Sequence, residues 1–185
     1  MRVITGRARG AVLAAPKGMQ TRPTLDQVKE GIFSAIQFEV EGRRVLDLFA
    51  GSGQLGIEAL SRGAQRAVFV DHSREACRII RGNLEKTGFK EEAEVVCSDY
   101  LGYLHSCRQK FDLIFLDPPY AEIFLENALK TISEIDILSK SGIIVCERES
   151  GRTLDENFGS FCRSRDYRYG RAEVTLYRRA QHSEG

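Results

Sequence analysis

From residue 44 onward the chain alternates between two hydrophobic rhythms. Short runs rich in Val, Ile, Leu and Phe occur at Arg44 to Phe49, Arg66 to Val70, Ala93 to Cys97, Phe111 to Leu116 and Gly142 to Glu147. Between them, apolar residues recur at helical spacing over about 54–62, 73–87, 100–107 and 121–135. Apolar strands separated by helices specify a parallel sheet covered on both faces, because parallel neighbours need long crossovers and those crossovers bury the sheet. The tail breaks this rhythm. Phe161 to Tyr167 and Ala172 to Arg178 are strand-like runs joined by a short turn at Gly170, which permits only antiparallel pairing. The expected fold class is α/β: a mostly parallel seven-stranded sheet that closes in a C-terminal antiparallel hairpin.

The first 43 residues follow neither rhythm. Residues 1–20 are turn-rich, punctuated by Gly6, Gly10 and Gly18, and carry no strong core pattern. Thr24-Leu25-Asp26-Gln27 then reads as a capping box, and Val28, Ile32, Ala35 and Ile36 give the helix that follows one apolar face. The expected organisation is a small basic N-terminal extension with its capping helix over 1–43, and an α/β core over 44–185.

Composition narrows the class. With 185 residues and 42% hydrophobic content, the chain suits one folded domain and not a disordered or fibrous one. No apolar run approaches the ~18 residues that a membrane-spanning helix needs. The five cysteines, at 77, 97, 107, 146 and 162, are too widely spaced for a zinc site or a disulfide framework, and only three histidines accompany them. Reduced thiols in a cytoplasmic protein, with no metal, are expected.

The most informative stretch is Val45 to Gly56, where a strand runs into Ala50-Gly51-Ser52-Gly53 and then into a helix. Glycines there let the backbone turn sharply and approach a ligand, while the helix start offers free amides. Gly51, Gly53 and Gly56 also satisfy the G-x-G-x-x-G spacing of a dinucleotide site. Asp71 ends the second strand, where an aspartate can accept both ribose hydroxyls of an adenosine-bearing cofactor. Asp99 follows the third strand and suits an adenine amino group; both aspartates could instead cap the helices after them. Asp47, four residues before Gly51, is an anion that a pyrophosphate would not welcome. It suits a cofactor with an α-amino group, which tilts the choice from NAD toward S-adenosylmethionine. The candidate cofactor residues are Asp47, Phe49, Gly51, Ser52, Gly53, Asp71 and Asp99.

The fourth strand ends in Asp117-Pro118-Pro119-Tyr120. Two prolines remove two amide donors and leave carbonyls as acceptors. A carboxylate and a carbonyl aimed at one point suit an exocyclic amine, whose protons they hold while its lone pair attacks, and Tyr120 can stack on the base. Asp117, Pro118 and Tyr120 are the candidate catalytic residues for in-line methyl transfer, which needs proximity and charge stabilisation.

These two motifs resemble those of class I S-adenosylmethionine-dependent methyltransferases that modify exocyclic amines. The closer resemblance is to the RsmD-type 16S rRNA (guanine-N2) methyltransferases. It is carried by Arg2-Val3-Ile4-Thr5-Gly6 with Arg9-Gly10 and Pro16, Thr21-Arg22-Pro23-Thr24 with Val28-Lys29-Glu30 and Phe33, Asp47 to Gly63, and Asp117 to Tyr120. The resemblance implies a Rossmann-like class I methyltransferase that methylates N2 of one guanine, position 966 in the RNA's numbering, in 16S rRNA. The partner it implies is the 30S subunit or its late assembly intermediate, met by a monomer, with S-adenosylhomocysteine as product. By its motif roles Asp71 binds ribose, Asp99 adenine, and Asp117 and Tyr120 the target guanine. A DNA adenine or cytosine amino-methyltransferase is an alternative, although 185 residues leave no room for a separate recognition domain. A protein-glutamine methyltransferase and a non-catalytic RNA-binding module complete the alternatives.

The net charge of +1 hides an uneven distribution. Residues 1–44 carry +4, 45–150 carry −5 and 151–185 carry +2. Arg2, Arg7, Arg9, Lys17 and Arg22 stand in a segment without acids and are the candidate RNA-binding residues, since arginines on a pliant loop can follow a phosphate backbone. Arg22 could instead face the cofactor's carboxylate. Glu147, at the end of the fifth strand, could orient the site or cap the strand, and is not among the candidates.

Overall fold

In the computed structural model, the structure describes residues 1–18, 23–119 and 122–180. The elements run α1 (Pro23–Ala35), β1 (Arg44–Asp47), α2 (Gln54–Ser61), β2 (Arg66–Asp71), α3 (Arg74–Thr87), β3 (Ala93–Cys97), α4 (Tyr100–Ser106), β4 (Phe111–Leu116), α5 (Glu122–Ile135), β5 (Leu138–Glu149), β6 (Asn157–Phe158), β7 (Phe161–Tyr169) and β8 (Ala172–Arg179). The strands form one eight-stranded sheet in the order β3-β2-β1-β4-β5-β8-β7-β6. β1 to β5 are parallel to their neighbours, and β8, β7 and β6 are added antiparallel. The strand beyond the expected seven is β6, two residues long and at the sheet edge, too short to show an alternation in sequence.

Parallel strands buried on both faces explain the unbroken apolar runs. Along β4, Leu113 and Phe115 join a core with Val28, Ile32 and Phe33 of α1 and Leu55 and Ile57 of α2. Ile114 and Leu116 face the other way, into a core with Leu104 of α4 and Leu129 and Ile132 of α5. Gly56 of α2 lies against the β2 side: a Cβ there would meet the Phe69 ring at 2.3 Å, so helix and sheet approach as closely as they do only because this residue has no side chain. α1 begins at Pro23, ahead of the expected cap at Thr24; proline's fixed φ is pre-organised for a first helical position.

The N-terminal residues have a core role that their sequence pattern does not show. Residues 1–13 double back as a small hairpin, with Arg2 bridged to Val12, Val3 N–H donating to the Ala11 carbonyl (2.9 Å) and Leu13 N–H to that of Met1 (2.9 Å). Val3 and Leu13 are buried against α1, α2 and α3. Ile4 and Thr5 donate their amides to the Glu58 carboxylate at 2.8 and 3.1 Å. Two apolar residues ten positions apart have no periodicity to betray them. No helix among the described residues is long and apolar enough to cross a membrane.

Candidate active site

β1 has β2 on one side and β4 on the other, so the chain winds one way through β2 and β3 and then crosses to β4 and β5. In open α/β sheets that reversal leaves a crevice at the carboxyl ends of the strands. Here it is a cleft of about 1090 Å³, slightly above the roughly 300–1,000 Å³ usual for small-molecule sites. Asp47, Phe49, Gly51, Ser52, Asp71, Asp99, Asp117 and Pro118, scattered over 72 positions of sequence, all line it. Gly53 stands behind the wall as the N-cap of α2. Tyr120 and Arg22 lie outside the described residues.

The glycine loop is held open by its own geometry. Gly51 and Gly53 have φ of 58° and 80°, in the left-handed region that side chains avoid. Asp71 fixes the loop from the next strand: one carboxylate oxygen accepts from Gly51 N–H (2.9 Å), the other from Ser73 N–H (2.8 Å). The cap of α3 is Ser73, whose hydroxyl accepts from Ala76 N–H, so Asp71 is not itself the cap but joins the loop to the residue that is. Asp99 does act as a cap: it accepts from Gly102 N–H at 2.8 Å, the first turn of α4, while still facing the cleft. Asn83 ties the N-terminal segment to this wall, with its amide donating to the carbonyls of Ala14 and Ser52, both at 2.9 Å.

Asp47 is buried, with one hydrogen bond from Gly56 N–H at 3.0 Å. Burial, reinforced by the charges of Asp117 and Asp71, pushes its carboxyl up to about 7. Asp117 is raised to about 6, again by burial, and Glu147 to about 9 by burial and the charge of Asp117. These shifts mark a place where anions are held away from water without matching cations, a common property of sites that await a ligand. Gln54 points the same way. It lines the cleft, and its side-chain carbonyl oxygen is buried with no hydrogen-bond partner.

The far wall is aromatic. Phe49 and Tyr100 have ring centroids 5.1 Å apart, and Phe124 stands edge-on to Tyr100 at 5.7 Å. A flat purine fits such a wall. Phe49 is expected from sequence; Tyr100, Phe124, Gln54 and Glu147 are not. Glu147 has the one readable signal, its position at the end of an apolar strand like Asp71 and Asp117. The others depend on which helix turns face the cleft.

The arm's charges do not enter this wall. Arg2, Arg7, Arg9 and Lys17 are exposed and outside the cleft lining. Arg7 is committed elsewhere: it donates to both oxygens of Glu92, the closer at 2.6 Å, and lies over the Phe89 ring at 4.8 Å.

A family model described as "Conserved hypothetical protein 95" matches residues 1–178. The chain belongs to this RsmD family of class I S-adenosylmethionine-dependent methyltransferases. Within it, the chain is 42% identical over 182 residues to "Putative rRNA methyltransferase YlbH" of Bacillus subtilis (strain 168), covering 97% of this chain and 99% of that protein. It is 31% identical to "Ribosomal RNA small subunit methyltransferase D" of Escherichia coli (strain K12), covering 100% and 92%. The solved structure of yhhF from Escherichia coli superposes with a TM-score of 0.85 at 30% identity, covering 98% and 99%. The parallel sheet and antiparallel tail expected from the strand and helix rhythm are thus those of a Rossmann-like methyltransferase fold.

Proposed function

We propose that the chain transfers a methyl group from S-adenosylmethionine to the exocyclic N2 amine of a guanine in small-subunit ribosomal RNA, within the 30S subunit or a late precursor of it. The observation that carries this reading is the meeting of Asp117 and Pro118 with the glycine-loop cleft at the β1/β4 switch point. The name of the Escherichia coli relative, a small-subunit ribosomal RNA methyltransferase, supports the RNA class.

The residues fit the cofactor on three counts. Gly51 and Gly53 form a cradle closed to side chains, Asp47 is a buried anion with one bond, and Gln54 has a buried oxygen with none. In this reading Asp47 and the Gly51–Gly53 loop hold the amino-acid end, Asp71 the ribose, and Asp99 with the Phe49–Tyr100 wall the adenine. When bound, S-adenosylmethionine supplies a methyl group on a sulfonium that passes in line to a nitrogen lone pair, leaving S-adenosylhomocysteine.

The chain's own contribution is positioning. Asp117 and the backbone carbonyl of Pro118 accept the two amine protons, which turns the nitrogen lone pair away from the ring and toward the cofactor side. Asp117 takes up the proton released on transfer more readily than an exposed aspartate, because burial has raised it to about 6. Tyr120 stacks on the base. Arg2, Arg9 and Lys17 meet RNA phosphates, whereas Arg7 meets them only by leaving Glu92.

The test is to incubate the protein and radiolabelled S-adenosylmethionine with 30S subunits that lack guanine methylation, then map the label. Label on N2 of one guanine is expected, and no label in RNA sinks the reading. Asp117→Ala should lower transfer by about a thousandfold or more, within the span of positioning and proton-transfer effects, while cofactor binding by calorimetry survives. Loss of both would mean that Asp117 belongs to the cofactor site.

A further inference from the structure

In the parallel pair β4–β5, Leu116 is register partner to Cys146. Asp117 and Glu147 are the next residues of the two chains, just past the end of this ladder of strands ~4.8 Å apart, and they are close enough for the charge of Asp117 to act on Glu147. Phe115 and Val145, two positions back on the two strands, both enter the core beneath α1. Asp117 and Glu147 both line the cleft.

Among the described residues, no cation is paired with Asp117 or Glu147. Glu147 makes no hydrogen bond or ion pair among the described residues. The adjacent Arg148 also lines the cleft, but its guanidinium is committed to Glu173 (2.5 Å) and Asp166 (3.6 Å). Two carboxyls so close and so poorly solvated share a proton, since both cannot ionise at once. Both carboxyls are raised, and an amine donating to Asp117 favours its ionised form, which leaves the shared proton on Glu147.

An acid beside a carboxylate presents acceptor, then acceptor and donor. The edge of guanine that carries its amine presents N2–H, N1–H and the O6 carbonyl: donor, donor, acceptor. We infer that Glu147, as a neutral carboxylic acid, pairs with the lactam edge of the target guanine, its O–H donating to O6 and its carbonyl oxygen accepting from N1–H, while Asp117 accepts from the N2 amine. This rests on the guanine-N2 reading and adds a residue that selects the base. With its own amine at Asp117, adenine offers a bare ring nitrogen and then a C–H, so Glu147 makes one bond at most. Cytosine offers a bare nitrogen and then a carbonyl, and the second oxygen of Glu147 is repelled. Only guanine uses both oxygens. Glu147 is thus a specificity-determining residue.

The experiment uses the full-length protein and 30S subunits reconstituted from ligated RNA with guanine or 2-aminopurine at the methylated position. The analogue keeps the N2 amine but replaces N1–H and C6=O6 by a bare nitrogen and C–H. Wild-type protein should favour guanine by about tenfold or more in kcat/KM, as for a lost hydrogen-bonded contact. Glu147→Ala should bring the two substrates within about twofold, with S-adenosylhomocysteine affinity and melting temperature showing that the variant is folded. Glu147→Gln should restore most of the preference, because a carboxamide has the same donor and acceptor. A tenfold preference that survives Glu147→Ala overturns the inference. So does a Glu147→Gln variant no better than alanine, which would make Glu147 act through charge. Transfer by wild-type protein to neither RNA overturns the guanine reading itself, and this inference with it.

Discussion

Two clusters of charge, one in the core around Glu58 and one at the cleft around Asp117, are solved in opposite ways. Around Glu58 every oxygen is matched. It accepts from the amides of Ile4 and Thr5 and from Arg62 Nε (2.8 Å), and it pairs with Lys29 at 3.7 Å. Lys29 also donates to the Arg2 carbonyl at 2.6 Å. Around Asp117 the reverse holds: Asp47 has one backbone bond, and Asp117 and Glu147 have none among the described residues. A complete buried network fixes one arrangement of the chain, whereas an incomplete one keeps its bonding capacity for a ligand. Satisfaction, more than burial, separates the charge that builds this fold from the charge that serves the site.

The largest effect is expected where the complete network is broken. Glu58→Ala leaves Lys29 without its counter-charge and two amides of the N-terminal hairpin without an acceptor. Removing one partner of a buried pair costs about 3–5 kcal/mol. Urea unfolding should show a loss of that size, and residues 1–14 should become sensitive to protease. A cost below about 1 kcal/mol would break the comparison, because satisfaction would then carry no stability here.

In the incomplete cluster the same kind of change should act on binding. Asp47→Asn keeps the shape and removes a charge that burial already disfavours, so the ligand-free protein should be as stable as wild type or more so. S-adenosylmethionine should bind about tenfold to a hundredfold more weakly by calorimetry, the range for a hydrogen bond to a charged group. Unchanged affinity would remove Asp47 from the cofactor site.

How much of this was legible in the sequence follows from the physics of each element. The parallel core and the antiparallel tail were readable, because strands buried on two faces and a tight hairpin each leave a local pattern. The cleft residues on strand ends were readable for the same reason: Asp47, Asp71, Asp99 and Asp117 each follow an apolar run, and the sheet brings such ends together. Val3 and Leu13 were not, since their burial comes from a hairpin docking on α2 and α3, not from any periodicity of their own. Nor was the weight of Glu147, which depends on the β4–β5 register that sets it beside Asp117. The double duty of Arg7, basic in composition but paired with Glu92 some 85 positions away, is a long-range contact of the same kind.

A smaller effect should appear in the pH dependence of stability. The folded-state values of Asp47, Asp117 and Glu147 are all raised, so the folded protein holds protons that the unfolded chain releases. Stability from that source is fully present below the ordinary carboxyl range and is lost as pH climbs through the raised values. Glu147, with an ordinary value of 4.5 and a folded one of about 9, is the last of the three to lose it. The melting temperature of ligand-free protein should therefore fall between pH 6 and about 9, and the fall should be shallower in Glu147→Gln. Parallel curves for the two proteins would mean that Glu147 ionises freely.

The smallest effect divides the arm itself. Arg7 is paired with Glu92 but half exposed, so solvent and salt screen the pair, and Arg7→Ala should cost about 0.2–1 kcal/mol of stability. Arg9 is exposed with no side-chain partner among the described residues, so Arg9→Ala should leave the urea midpoint unchanged. On RNA the order reverses. Arg9 can reach a phosphate without giving anything up, whereas Arg7 must first leave Glu92 and the Phe89 ring. Binding of 30S subunits measured across salt concentrations should lose about one unit of its log–log slope with Arg9→Ala and less with Arg7→Ala. Equal slope changes would show that the Arg7–Glu92 pair opens at no cost on the particle, and the arm would then act as one basic surface.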